Sequence, residues 1–334
     1  MDNPELHSNS ILNEAIHKGA TDIHFNPKTD DVSIYFRING YRWFYKDLPY
    51  DAYHSLISYY KFISGMDIAE KRIPQNGTIL HHVESQPYDL RLSTLPTKHI
   101  ESLAIRILSK DYYPKLKQLF LFPSQGTRLL GWIKQRAGMI LFTGPTGSGK
   151  TTTMYALLKS SIEHYGFQAI TLEDPVEQSI HDLLQVQVNE KAGFNYDVGL
   201  KAALRHDPDI IMVGEIRDAE TARFALRAAL TGHLVMSTVH AKSAYGTISR
   251  LNEMGLSKAD LKETIIGIAS QQLVPIKQIQ SKQSRGRAAI AELLTGDYLN
   301  KALDGFPPES RKGYQTFEIL RRKAYALGYT SLSL

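Results

Sequence analysis

The sequence predicts an α/β chain: a domain built on a mostly parallel sheet, preceded by a smaller α+β domain. Three observations carry that expectation. At 334 residues the chain exceeds what one hydrophobic core usually serves. From Leu119 onward, apolar stretches alternate between strand and helix character, as a parallel sheet with crossover helices requires. Finally, the apolar run Met139-Ile140-Leu141-Phe142-Thr143 leads straight into Gly144-Pro145-Thr146-Gly147-Ser148-Gly149-Lys150-Thr151-Thr152, which meets G-x-x-x-x-G-K-[ST] at every fixed position and opens a helix.

Composition narrows the class. Hydrophobic residues make up 43% and charged residues 22%, a globular balance, and no apolar run approaches the roughly 20 residues that span a bilayer. The opening Met1-Asp2-Asn3-Pro4-Glu5 has neither a basic cluster nor an apolar block, so no signal peptide is expected and the chain reads as cytoplasmic. With no cysteine, disulfides, thiol nucleophiles and thiolate metal sites are excluded together. A net charge of +5 over this length reads as scattered solvated lysines rather than as a polyanion-binding surface.

In chain order, Leu6, Ile11, Leu12, Ala15 and Ile16 fall at helical spacing, and Gly19 ends that helix. Strands follow at 22–26, 32–38 and 41–45, the last two flanking Asn39-Gly40, the pair that type I′ hairpins favour. A helix is expected at 53–63. Asn76-Gly77 reads as a second turn, followed by strands at 78–83, 88–93 and 102–108. Alternation places Asp89, Arg91 and Ser93 opposite Leu90 and Leu92, and Arg106 opposite Ile105 and Ile107. Both arginines therefore belong to a polar face, which from pattern alone is a solvated sheet surface. Residues 1–108 form the first domain. The polar, basic segment 109–117, with Pro114, is the expected linker, which would let the first domain swing; 118–334 form the second domain. There, strands at 138–143, 168–172, 210–213 and 234–238 alternate with helices at 151–164, 198–205 and 219–230.

Ligands of such sheets gather at the carboxyl ends of strands. The glycine loop would cradle phosphates with its backbone N–H groups, Lys150 would reach the β- and γ-phosphates, and the Thr151 hydroxyl would ligate Mg²⁺. After the 168–172 strand come Glu173, Asp174 and Glu177. Glu173 and Glu177 are candidates to hold the cation directly or through water, although acids at such positions also cap helices. After 210–213 come Gly214 and Glu215, with glycine where an aspartate is usual. Glu215 is the candidate base, acting mainly to orient water while phosphate charge is met by Lys150, Mg²⁺ and arginines. His233 and His240 bracket the next strand and are read as lying near the γ-phosphate, with a structural hydrogen-bonding role open for His233.

Assembled, these segments resemble the type II secretion and type IV pilus ATPase family over nearly the whole chain. Its Walker A corresponds to residues 144–151, its Asp box to 171–177, its Walker B to 204–218 and its His box to 231–244. Ala20-Thr21-Asp22-Ile23-His24, Phe36-Arg37-Ile38-Asn39-Gly40, Gly65 and the run through Gly77, and Asp89-Leu90-Arg91-Leu92 resemble its PAS-like first domain. The resemblance implies a RecA-like ATPase domain and Glu177, Glu215, His233 and His240 in functional box positions. It also implies a ring hexamer in which Arg91 and Arg106, and more weakly Arg72, approach nucleotide. Its implied partner is a polytopic inner-membrane platform protein, with the ATPase peripheral at the cytoplasmic face of the cell membrane. The tetracysteine segment of many assembly members is absent at 271–278, so no zinc is expected, and the long amino-terminal extension of the secretion enzymes is missing. Both features resemble the short ComGA-type ATPases of Gram-positive competence systems, which power a DNA-uptake pilus. The alternatives are a retraction ATPase of the same family and a nucleic-acid motor; no basic-aromatic stretch suggests direct nucleic-acid binding.

Overall fold

The computed structural model describes residues 3–98, 100–109, 115–176, 180, 182–276 and 286–331. The chain divides into two compact units, Met1–Tyr112 and Tyr113–Leu334.

In the first unit the order is α1 (Pro4–His17), β1 (Asp22–Pro27), β2 (Asp31–Ile38), β3 (Tyr41–Pro49), α2 (Tyr50–Ile63), β4 (Gln75–Val83), β5 (Gln86–Leu95) and β6 (Ser102–Ser109). The strands form one antiparallel sheet in the order β3-β2-β1-β6-β5-β4. Ile23, Phe25, Ile34, Phe36, Leu90, Leu92, Leu103 and Ile105 share a core with Ile11 and Leu12 of α1 and with Tyr53, Leu56 and Tyr60 of α2. Asn39 and Gly40 both have positive φ, 53° and 88°, as a type I′ turn demands.

Asn76-Gly77 is not a turn. Both residues lie inside β4, paired with Ser93 and Leu92, and the reversal falls later, at Glu84-Ser85, where φ is 49° and 67°. Gly77 is small for a different reason: a Cβ there would sit 2.7 Å from the Ser64 carbonyl oxygen at the end of α2. The intervening segment is held from inside. Lys61 and Glu101, 2% and 3% exposed, pair at 2.6 Å, and the Lys61 ammonium also donates to the Glu70 carbonyl at 2.7 Å. Removing one member of such a buried pair costs about 3–5 kcal/mol.

Of the expected linker, Ser109 ends β6 and Lys115 precedes a short helix, while residues 110–114 lie outside the described residues. The second unit runs α3 (Leu116–Leu119), α4 (Pro123–Trp132), β7 (Gly138–Thr143), α5 (Lys150–Tyr165), β8 (Ala169–Glu173), β9 (Leu184–Gln187), α6 (Tyr196–Ala203), β10 (Ile210–Ile216), α7 (Ala219–Leu230), β11 (Leu234–Val239), α8 (Ala244–Glu253), α9 (Lys258–Thr264), β12 (Ile265–Pro275), β13 (Arg287–Thr295), α10 (Gly296–Leu303) and α11 (Phe317–Ala326). The sheet order is β13-β12-β7-β11-β10-β8-β9, parallel except for β13.

Every residue of β7 is buried, and alternation splits them. Met139 and Leu141 join a core with residues of α7 to α10; Ile140 and Phe142 join another with α3, α4 and α5. A strand covered by helices on both faces leaves its carboxyl end as the open place, and the glycine loop begins there. Among the described residues, no helix is long and apolar enough to cross a membrane.

Candidate nucleotide site

The loop after β7 is shaped by its glycines and by the strand beside it. Gly144 has φ 135°, and a Cβ on it would lie 2.3 Å from the Gln271 carbonyl oxygen of β12. Gly149, at φ 84°, is the left-handed residue that caps α5 and offers no side chain to the N–H groups of its first turn. Those first-turn donors, with the positive end of the helix dipole, are left for an anion. Lys150 folds over the loop and donates to the Gly144 and Pro145 carbonyls at 2.9 and 3.1 Å, which holds its ammonium against the cradle. The buried Ser148 Oγ has no hydrogen-bond partner among the described residues. An orphaned hydroxyl in a cradle of backbone donors fits a phosphate oxygen. Thr151 and Thr152 sit half-buried in the first turn of α5. Thr143 fixes the loop's entry, donating to the Ala241 carbonyl at 2.9 Å and accepting from its N–H at 3.0 Å.

Glu215 stands where β10 loses register with β11, between Val213 and Ile216. Such an irregularity turns a side chain out of the ladder. Arg217 bonds one carboxylate oxygen of Glu215, while the ring Nε2 of His240 lies 3.4 Å from the other. The same guanidinium reaches Asp174 at 3.5 Å. The bond from Arg217 holds the Glu215 carboxyl below its ordinary pKa, against a smaller opposing effect of burial. Tyr196 completes the group: burial, with Asp174 and Glu215 nearby, pushes its phenol up to about 12. Its hydroxyl also explains Gly214. A Cβ at 214 would meet the Leu172 carbonyl at 3.2 Å and the Tyr196 hydroxyl at 3.3 Å, so a larger residue there would crowd both.

Other expected residues fall differently. Glu173 is 3% exposed and its oxygens are taken by Tyr155, by Thr171 at 2.6 Å and by Gln185 at 3.3 Å, an arrangement that ties α5 and β9 to β8. Glu177 lies outside the described residues. His233 is corrected. β11 runs parallel to β7, so His233, whose carbonyl accepts from Gly138 at 3.1 Å, is at the end of the sheet opposite the glycine loop. Seven residue-to-residue steps of extended chain, roughly 23 Å at about 3.3 Å each, separate it from His240. Its ring instead meets Thr231 at 3.3 Å, the structural role that the sequence left open. Among the described residues, which leave out Glu177, no three of His, Asp or Glu form a metal cage.

In the first unit, Arg91 and Arg106 are cross-strand neighbours on the face opposite the core. The row continues through Asp22, Arg37 and Arg42 of the next three strands. Asp22 takes the Arg106 guanidinium at 2.9 Å, and Arg42 stacks on Tyr35, 3.8 Å from the ring centroid. Sequence reasoning did not single out Arg217, Tyr196 or Gln271. Arg217 had a signal, since two residues on an extended segment return to the same side; Tyr196 and Gln271 reach the site only through the fold.

Comparison with known proteins identifies the family. The family described as type II/IV secretion system protein matches residues 4–304. Competence protein ComGA of Bacillus subtilis is 44% identical over 341 residues, covering 98% of this chain and 96% of that protein. The type IV pilus assembly ATPase PilB of Thermus thermophilus is 44% identical over 265 residues, 79% of this chain and 30% of that longer one. Among solved structures, the pilus retraction motor PilT with bound ADP superposes with a TM-score of 0.70 at 29% identity, covering 97% of this chain and 94% of PilT. The chain belongs to the type II/IV secretion system protein family, and is an ATP-hydrolysing P-loop enzyme with a RecA-like domain of the kind that serves pilus and secretion machines.

Proposed function

We propose that this chain is the ATPase that drives assembly of a competence-type pilus or pseudopilus, working as a ring hexamer against a polytopic platform protein at the cytoplasmic face of the membrane. The observation that carries this reading is end-to-end similarity to a competence protein, 44% identical across 98% of the chain, with a complete phosphate cradle beside an ionised Glu215. In the reaction, the loop from Gly144 to Thr152 and the α5 N-terminus bind the phosphates. When bound, magnesium would supply charge for the leaving diphosphate, and Thr151 would hold it through its hydroxyl. Glu215 orients the attacking water, which shares the carboxylate with Arg217 or displaces it, and His240 lies on the other side of the same carboxylate. Glu173 acts as a buttress rather than as a ligand, and Glu177 remains a candidate beside the cation. Arg91 and Arg106 carry charge to nucleotide held by an ATPase unit of the ring.

The similarity to PilT favours one second reading, withdrawal of an existing pilus. Cells lacking the chain separate the two. Assembly predicts that they make no pilus and regain one with the unaltered chain but not with Glu215→Gln. Withdrawal predicts pili that form and fail to shorten. Hydrolysis that rises strongly and salt-sensitively with added DNA would instead support a nucleic-acid motor.

A further inference from the structure

The glycine loop leans on a side chain from a distant strand, and we infer that Gln271 is a positioning residue for nucleotide binding. Gln271 is 1% exposed, and both ends of its amide are used. Its Nε2 donates to the Ser148 carbonyl at 2.7 Å, and its Oε1 accepts from the Thr153 hydroxyl on α5 at 2.9 Å. Its backbone also shapes the cradle, since its carbonyl oxygen occupies the space that a side chain on Gly144 would need, and its side-chain Nε2 lies 3.0 Å from the Cβ position of Gly149. One residue thus touches the first and last glycines of the loop, its middle and the helix it opens.

The direction of the Ser148 carbonyl decides the direction of the N–H on the same peptide plane, that of Gly149. Drawing the carbonyl back into β12 turns that N–H to the opposite side, away from β12 and into the cradle. The anchor itself is fixed. Ser270 beside it is paired with Thr143 of β7, and Gln271 lies opposite Ala291 of β13. The Ala291 carbonyl and N–H are held by a second buried glutamine, Gln125 of α4, at 2.5 and 3.2 Å. Buried glutamines therefore brace this strand pair from both sides: Gln125 of α4 holds β13 at Ala291, and Gln271, opposite Ala291 on β12, holds the phosphate loop.

A group that pre-shapes the cradle strengthens ground state and transition state alike, so its loss weakens binding without slowing saturated turnover. Gln271→Met keeps the length and removes both hydrogen bonds, leaving the Ser148 carbonyl and the Thr153 hydroxyl unmatched. Its KM for ATP, and its Kd for ADP measured by direct fluorescence titration of the full chain, should rise about 10- to 100-fold, with saturated turnover within about threefold of the unaltered chain. Thr153→Val, which removes only one of the two bonds, should raise both constants about three- to tenfold, and Thr153→Ser should restore them. Unchanged constants in both Gln271→Met and Thr153→Val, or a fall in saturated turnover at unchanged Kd, would overturn the assignment. The inference rests on the ATPase reading, but the ADP titration needs no hydrolysis, so its failure is distinguishable from a failure of that reading.

Discussion

Glu215 is a carboxylate held ready rather than a base at work. Arg217 bonds one of its oxygens and the His240 ring nitrogen lies 3.4 Å from the other, so an attacking water must share the carboxylate with the guanidinium or displace it. The same contact sets its ionisation. Because the folded pKa is lowered, chiefly by Arg217, the carboxylate stays charged through the neutral range and is lost only as pH falls below the ordinary carboxylate range of about 4.3. In Arg217→Gln the nearest cation is gone and the pKa rises. The acid limb of the turnover-against-pH profile should then move toward neutrality; a profile superimposable on that of the unaltered chain would show that the pair does not govern Glu215. At this scale, legibility followed spacing. Lys150, Thr151 and Glu215 were readable because a phosphate loop and a strand end fix them within a few residues. Gln271 lies 123 residues from Ser148, and no local pattern joins them.

Elements were legible where one residue type has one use. Asn39-Gly40 is a turn because both residues take positive φ, whereas Gly77 in the same dipeptide is in a strand because Ser64 leaves no room for a side chain. Sequence cannot tell a glycine of conformation from a glycine of clearance. β12 and β13 escaped because buried polar residues, Ser270 and Gln271 in one and Glu292 in the other, interrupt the apolar run that marks a core strand. The strand alternation that placed Arg91 and Arg106 on a polar face was right, and pairing adds that they stand side by side in a row with Asp22, Arg37 and Arg42. If that row serves nucleotide, Arg91→Ala should cut turnover about a hundredfold or more with oligomerisation intact, within the range known for arginine donors in other P-loop enzymes. Arg106→Ala should cost less, because Asp22 already takes part of its charge at 2.9 Å. Turnover within a few-fold of the unaltered chain in both variants would return the row to a solvated sheet face.

For the whole molecule, the sequence announced both sheets and the family, and family and fold agree with the comparisons. What it could not announce was which end of the parallel sheet each box residue occupies. His233 and His240 look equivalent as brackets of one strand, and parallel pairing with β7 sends them to opposite ends. The central claim is that this site binds ATP through the loop and hydrolyses it through Glu215. The most direct test measures nucleotide Kd and saturated turnover together in Lys150→Ala and Glu215→Gln. Lys150→Ala should lose both, since it removes a ground-state phosphate contact, whereas Glu215→Gln should keep the Kd within about threefold and lose turnover by about a hundredfold or more. Equal loss of affinity in the two variants, or turnover surviving in Glu215→Gln, would contradict the account.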